Sequence, residues 1–178
     1  MKLKKIFIII VSLVFVLLSA SSSFAQEKKI DKKDLPKAVL NTFQKSYPNA
    51  TIKGTSVEKA HGKIYYEIES MDNSQRRDLL YTKDGKVAEI EETLASNDIP
   101  DFVKSSVMKK YPNGEINKAE KVTSGKKINY ELVVKRGMQK HEVVLDSKGN
   151  IQKSEKMKKG KEEKEGKESQ ENGKEDKD

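Results

Sequence analysis

The chain has no cysteine and no tryptophan among its 178 residues. Without a thiol there can be no disulfide, no thiolate metal site and no lipid attached at a cleavage-site cysteine. Imidazole is nearly as scarce: His61 falls in an expected turn and His141 in an expected strand, neither inside a nucleophile motif. Nucleophilic catalysis therefore lacks both a thiol and a placed base. No Gly-rich phosphate loop is present. The stretch Glu89-Ile90-Glu91-Glu92 is dense in carboxylates, but it lacks the Gly-centred ligand series of a calcium loop. It reads as a charged edge strand that discourages aggregation. These absences predict no catalytic residue, no metal and no cofactor.

Long apolar runs are confined to one place. Lys2, Lys4 and Lys5 precede an apolar run from Ile6 to Leu18, and small side chains at Ser23 and Ala25 follow. This is the layout of a secretory signal peptide, residues 1–25, cut after Ala25. A stable span needs roughly 18 or more apolar residues, so no membrane span is expected after cleavage, and the protein is read as periplasmic or secreted. From Lys156 to Asp178 the only apolar side chain is Met157, and eight lysines balance eight acids. Residues 156–178 are therefore expected to form a disordered tail. The formal charge of +8 shrinks to +5 over residues 26–155, where lysines interleave with acids. That pattern predicts a solvated mixed-charge surface and no nucleic-acid partner.

Proline is rare too, yet all four prolines fall in a repeated pattern. Laying Tyr111-Pro112-Asn113 on Tyr47-Pro48-Asn49 gives an offset of 64 residues. At that offset Leu35-Pro36 meets Ile99-Pro100, Val39 meets Val103, Phe43 meets Val107, and Tyr66-Glu67-Ile68 meets Tyr130-Glu131-Leu132. An ordered series of matches at one offset is an internal repeat. In each copy an acid, Asp34 or Asp98, is placed to cap a helix with proline in its first turn. The stripe 35, 39, 43, 47, or 99, 103, 107, 111, lines one side of that helix. The proline after each tyrosine ends it, because it disfavours helix for the residue before it.

Beyond the turn the period becomes two. Ile64, Tyr66 and Ile68 alternate with Tyr65, Glu67 and Glu69, and Ile128, Tyr130, Leu132 and Val134 share one face of the matching strand. Turn signals at Asp72-Asn73-Ser74, Asp84-Gly85, Ser124-Gly125, Arg136-Gly137 and Lys148-Gly149-Asn150 divide each copy into about four strands. They are expected near 52–59, 63–70, 76–82 and 86–92, then 115–122, 127–134, 139–145 and 150–155. The fold class is α+β: two tandem repeats, each with one helix packed on an antiparallel sheet of about four strands. The organisation is linker 26–33, repeat 34–92, linker 93–97 and repeat 98–155, read as a monomer.

The order "YPNA", "YYEIE", "DLLYTKDGKV", then "YPNGEI", "NYELVV", "EVVLDSKGNI" resembles the PepSY-like, beta-lactamase-inhibitor-like family of exported bacterial proteins. The resemblance covers about residues 34 to 155; Lys148-Gly149 departs from the Asp-Gly of the first copy. It implies a tandem helix-plus-sheet fold and, by analogy, a sheet face that grips another protein. If Leu79, Tyr81, Val143 and Leu145 point inward, Leu80 and Val144 point the other way. Tyr65, Glu67, Glu69, Leu80, Glu131, Val133 and Val144 are therefore expected on the open face, as a partner-binding surface for an extracytoplasmic protein or peptide. The competing expectation is an envelope structural or stress-associated protein for which the charged tail is a tether.

Overall fold

The computed structural model describes residues 26–60 and 62–157; the expected signal peptide, His61 and residues 158–178 of the expected tail lie outside the described residues. The first two residues of that tail are instead ordered, Lys156 ending the last strand and Met157 buried with its N–H donating to the Lys140 carbonyl at 2.9 Å. Strand β1 (Gln26–Lys29) and a 3-10 turn (Lys32–Asp34) lead into helix α1 (Lys37–Ser46). Four strands follow: β2 (Thr51–Ala60), β3 (Lys63–Asp72), β4 (Gln75–Thr82) and β5 (Val87–Thr93). Helix α2 (Asp101–Lys110) precedes four more: β6 (Glu115–Ser124), β7 (Lys127–Arg136), β8 (Gln139–Asp146) and β9 (Ile151–Lys156). The strands make one nine-stranded sheet in sequence order, antiparallel at every junction. Separate four-stranded sheets are not formed: β5 pairs with β6, with Glu91 opposite Val122 and Thr93 opposite Glu120.

Both helices pack on the same side of this sheet. Leu35, Val39 and Phe43 meet Ile68, Leu79 and Tyr81 in one cluster, while Ile99, Val103, Val107 and Tyr111 meet Ala119, Leu132, Val134, Val143 and Leu145 in another. The register connects the two clusters, because Ile90 beside the first cluster lies opposite Thr123, and Thr123 lies opposite Ile128. Opposed residues share a face, so the stripe-bearing helices cover one face of the sheet.

Local details differ from the sequence reading at the helix starts, in the first linker and at β5. The helices start after their prolines: Pro36 and Pro100 are the capping residues, with extended backbone and no side-chain cap. Their carbonyls accept the first helical bonds, from Leu40 and Lys104, and a proline there leaves no donor unsatisfied. Asp34 is drawn into the 3-10 turn, so it cannot cap the helix. Residues expected as a linker include β1, which pairs with Ser56 to Lys59. Glu89 and Glu91 are not on an edge, because β5 sits between β4 and β6. His141 lies in its expected strand, half-buried on the helix side with its ring 4.9 Å from that of Tyr111.

The Tyr-Pro-Asn turns behave as stops. The Tyr47 and Tyr111 N–H groups donate to Phe43 and Val107 at 2.8 Å, closing each helix. The Tyr47 ring then lies under the Arg77 guanidinium at 5.1 Å, while the Tyr111 ring meets His141. Arg77 and His141 stand 64 residues apart, at equivalent places in the repeat. Each tyrosine thus fixes the end of its helix against the matching strand.

The hairpin after β4 closes on α1. Gly85 has φ +83°, and a Cβ there would lie 2.6 Å from the Ala38 carbonyl oxygen. Gly85→Ala combines left-handed strain with a backbone clash, so a loss of about 2 kcal/mol or more is expected. A thermal melt reads this, with Gly62→Ala as the comparison: it shares the positive φ but meets nothing within 4 Å.

A helix-free sheet face rich in buried carboxylates

On the face opposite the helices the register sets acid against acid. Glu27 lies opposite Glu58, Glu69 opposite Asp78, Asp78 opposite Glu91, Glu120 opposite Glu131, and Glu142 opposite Glu155. Like charges directly opposed across a strand pair are destabilising. Among these rows stand apolar side chains: Leu80 between Glu67 and Glu89, Val133 between Lys118 and Glu142, and Val144 between Glu131 and Lys153.

All seven residues expected on this face are on it by register. Glu67, Leu80, Glu131, Val133 and Val144 are buried, and Tyr65 and Glu69 are half-buried. Burial is deeper than the expectation of an exposed patch. The sequence reading missed Glu58, Glu89, Glu91 and Glu120, each no more than 6% exposed. One signal was available for Glu89 and Glu91: they share the odd-numbered parity of β5, opposite to Ile90. The fact that β5 is central was not available, because its pairing with β6 is non-local.

Cations serve the margins of this face. Arg76 bridges Glu69 and Asp78 at 3.5 and 3.3 Å, Lys118 reaches Glu120 at 3.1 Å, and Lys153 reaches Glu155 at 3.1 Å. At the centre, Glu67 accepts a hydrogen bond from the Ser56 hydroxyl at 2.7 Å. The Oε1 atoms of Glu89, Glu91 and Glu131 and the Oδ1 of Asn129 are buried without a hydrogen-bond partner. Such atoms are rare in folded proteins, because each forfeits hydration without replacement.

Burial therefore controls the protonation of these groups. Removal from water, partly opposed by the Ser56 bond, pushes Glu67 up to about 8. Burial and the charge of Glu58 raise Glu89 to about 7. Burial and then the neighbouring Glu120 raise Glu131 to about 8, and the same two causes lift Glu91 well above the ordinary range. Glu58 is raised by burial and by Glu27. A desolvated carboxyl among like charges prefers its neutral form.

This arrangement offers apolar anchors and hydrogen-bonding or charged acceptors. Among the described residues no group of three or more His, Asp or Glu is arranged to hold a metal ion. No helix among them is long and apolar enough to cross a membrane.

Comparison with known proteins gives a family match in two segments. Residues 23–89 and 78–153 each match the family described as "Putative beta-lactamase-inhibitor-like, PepSY-like". No curated protein matches the chain. Among solved structures it is similar to a protein from Bacteroides eggerthii described as one of the "putative periplasmic proteins", with 16% identity, TM-score 0.57, and coverage of 68% of this chain and 88% of that one. A BLIP-like protein from Bacteroides fragilis aligns with 18% identity and TM-score 0.54, over 68% and 85% of the two chains. A DUF2874 family protein from Bacteroides ovatus aligns with 19% identity and TM-score 0.55, over 68% and 86%. At these identities the likeness is one of fold.

Proposed function

Because the chain belongs to the PepSY-like, beta-lactamase-inhibitor-like family, we propose that it is an exported, non-catalytic binding module that engages an extracytoplasmic protein through the helix-free face. In this reading the body is two tandem units, 34–92 and 98–155, whose strands join at β5 and β6, and the module works in the periplasm or outside the cell. The twofold family match and the description of the Bacteroides eggerthii protein favour it. The observation that carries it is the placement of Tyr65, Leu80, Val133 and Val144 among carboxylates on the face that neither helix covers. Apolar anchors inside a polar border are the composition of a protein interface core and rim.

Affinity capture from the envelope extract tests this. Tyr65→Ser combined with Leu80→Ser should abolish capture of the partner that the unaltered protein retains, with Tyr65→Ser alone as the milder variant. Deleting residues 158–178 should leave capture intact. A folded double variant that still captures the same partner would refute the docking role. Loss of capture on tail deletion alone would favour the tether function instead.

A further inference from the structure

We propose that the centre of the helix-free face, from β3 to β7, is a receptor for arginine or lysine side chains presented by a basic segment of the partner protein. The inference rests on the docking reading and specifies the partner's chemistry.

The first argument is the uneven placement of charge. Residues 26–155 carry a net +5, yet the register stacks Glu69, Asp78 and Glu91 in one row and Glu120 against Glu131 in another. Arg76 bridges Glu69 and Asp78 and Lys118 reaches Glu120, which leaves the like-charge surroundings concentrated on Glu91 and Glu131 at the centre of the face. The second argument is independent of charge. Asn129 is 3% exposed on this face and its Oδ1 has no partner, as do the Oε1 atoms of Glu89, Glu91 and Glu131. The Asn129 Oδ1 accepts whatever the protonation of the acids beside it, and a buried acceptor without a donor calls for a ligand made of donors. A guanidinium supplies five and an ammonium three, and neither carries an acceptor.

The kind of cation follows from the surroundings. The described carboxylates do not converge as a metal site, and Leu80, Val122 and Val144 stand beside the acids. Apolar walls next to a charged acceptor suit a side chain with an aliphatic stem and a charged head. A bare ion gains nothing from them. Docking would also shift protonation: Glu67, Glu89 and Glu131, held up at about 7 to 8, would be pulled down by an adjacent cation and release protons.

The test uses N-acetyl hexa-arginine amide as probe, with hexa-glutamate as control, titrated calorimetrically into protein purified from the exported fraction. The expected results are binding of the arginine peptide alone, and heats that change with the ionisation enthalpy of the buffer at pH 7 as protons are released. The pair Glu91→Gln and Glu131→Gln should weaken binding at least tenfold without loss of fold, since it removes repulsion. Asp101→Asn on the exposed end of α2 should not change it. Equal affinity for the unaltered and Gln-bearing proteins would overturn the proposal, and so would calcium chloride alone binding tightly and excluding the peptide. A tenfold gain on deleting residues 158–178 would make the tail's own lysines the occupant and overturn an external one. A natural partner captured through Leu80 but indifferent to Gln at 91 and 131 would sink the basic-segment claim and leave the docking reading standing.

Discussion

Between pH 5 and pH 8.5 the melting temperature is expected to fall by roughly 10 °C or more, most of it between pH 6 and 8. The cause is the set of buried carboxyls on the helix-free face. In the unfolded chain a glutamate loses its proton near 4.5, whereas Glu67 and Glu131 hold theirs to about 8 and Glu89 to about 7 in the folded protein. Between these limits the folded state binds more protons than the unfolded one, so stability falls as pH rises. Below 4.5 both states are protonated and the penalty disappears; above about 8 it is fully present.

The size follows from the same values. Moving one such group from 4.5 to about 8 is worth roughly 4–5 kcal/mol if it acts alone. Glu91 and Glu131 share the neighbours Glu89 and Glu120, so their protons come off as a coupled set and the terms do not add. The cations facing this set are Arg76, Lys118 and Lys153. Asp84 is lowered to about 2 by its bonds to Lys86 and Thr82, and Asp146 is lowered by Asn150. Both are ionised throughout the same window and leave its slope unchanged. Thermal melts across the range check the prediction, and Glu91→Gln with Glu131→Gln should flatten the profile. A melting temperature that stays level or rises towards pH 8.5 would contradict the placement of these acids.

How much of this was legible in the sequence depended on whether the determinant was local. Val39, Phe43, Val103 and Val107 recur at helical spacing, and glycines at 85 and 149 mark tight turns, so the helices and hairpins could be read within a few residues. The alternation of Leu79, Leu80 and Tyr81 with their equivalents 143, 144 and 145 sufficed to assign faces. Two things were out of reach. Whether β5 is an edge depends on a partner strand beyond a helix, and no periodicity inside "EIEE" encodes that pairing. The burial of Glu89, Glu91 and Glu120 then follows from the joined sheet, which is why a stretch read as solvated edge charge lies in the middle of a face. The short polar "QEKK" of β1 failed for a related reason: its strand character comes from pairing with β2, not from its own propensity.

The docking claim carries the second large effect, and the missing cysteines make it measurable. A single cysteine introduced by Tyr65→Cys places one thiol on the helix-free face, half-buried between Glu58 and Thr82. Asn41→Cys places one on the exposed outer side of α1. With no native thiol to compete, each can carry one bulky maleimide adduct. An adduct at 65 stands where an anchor residue would have to approach, and steric exclusion from a packed interface core is close to complete. The most direct measurement is therefore capture of the envelope partner by the two labelled proteins side by side. The account predicts at least tenfold less partner with the adduct at 65 and unchanged capture with the adduct at 41. Equal capture by both, or loss only with the adduct at 41, would contradict it.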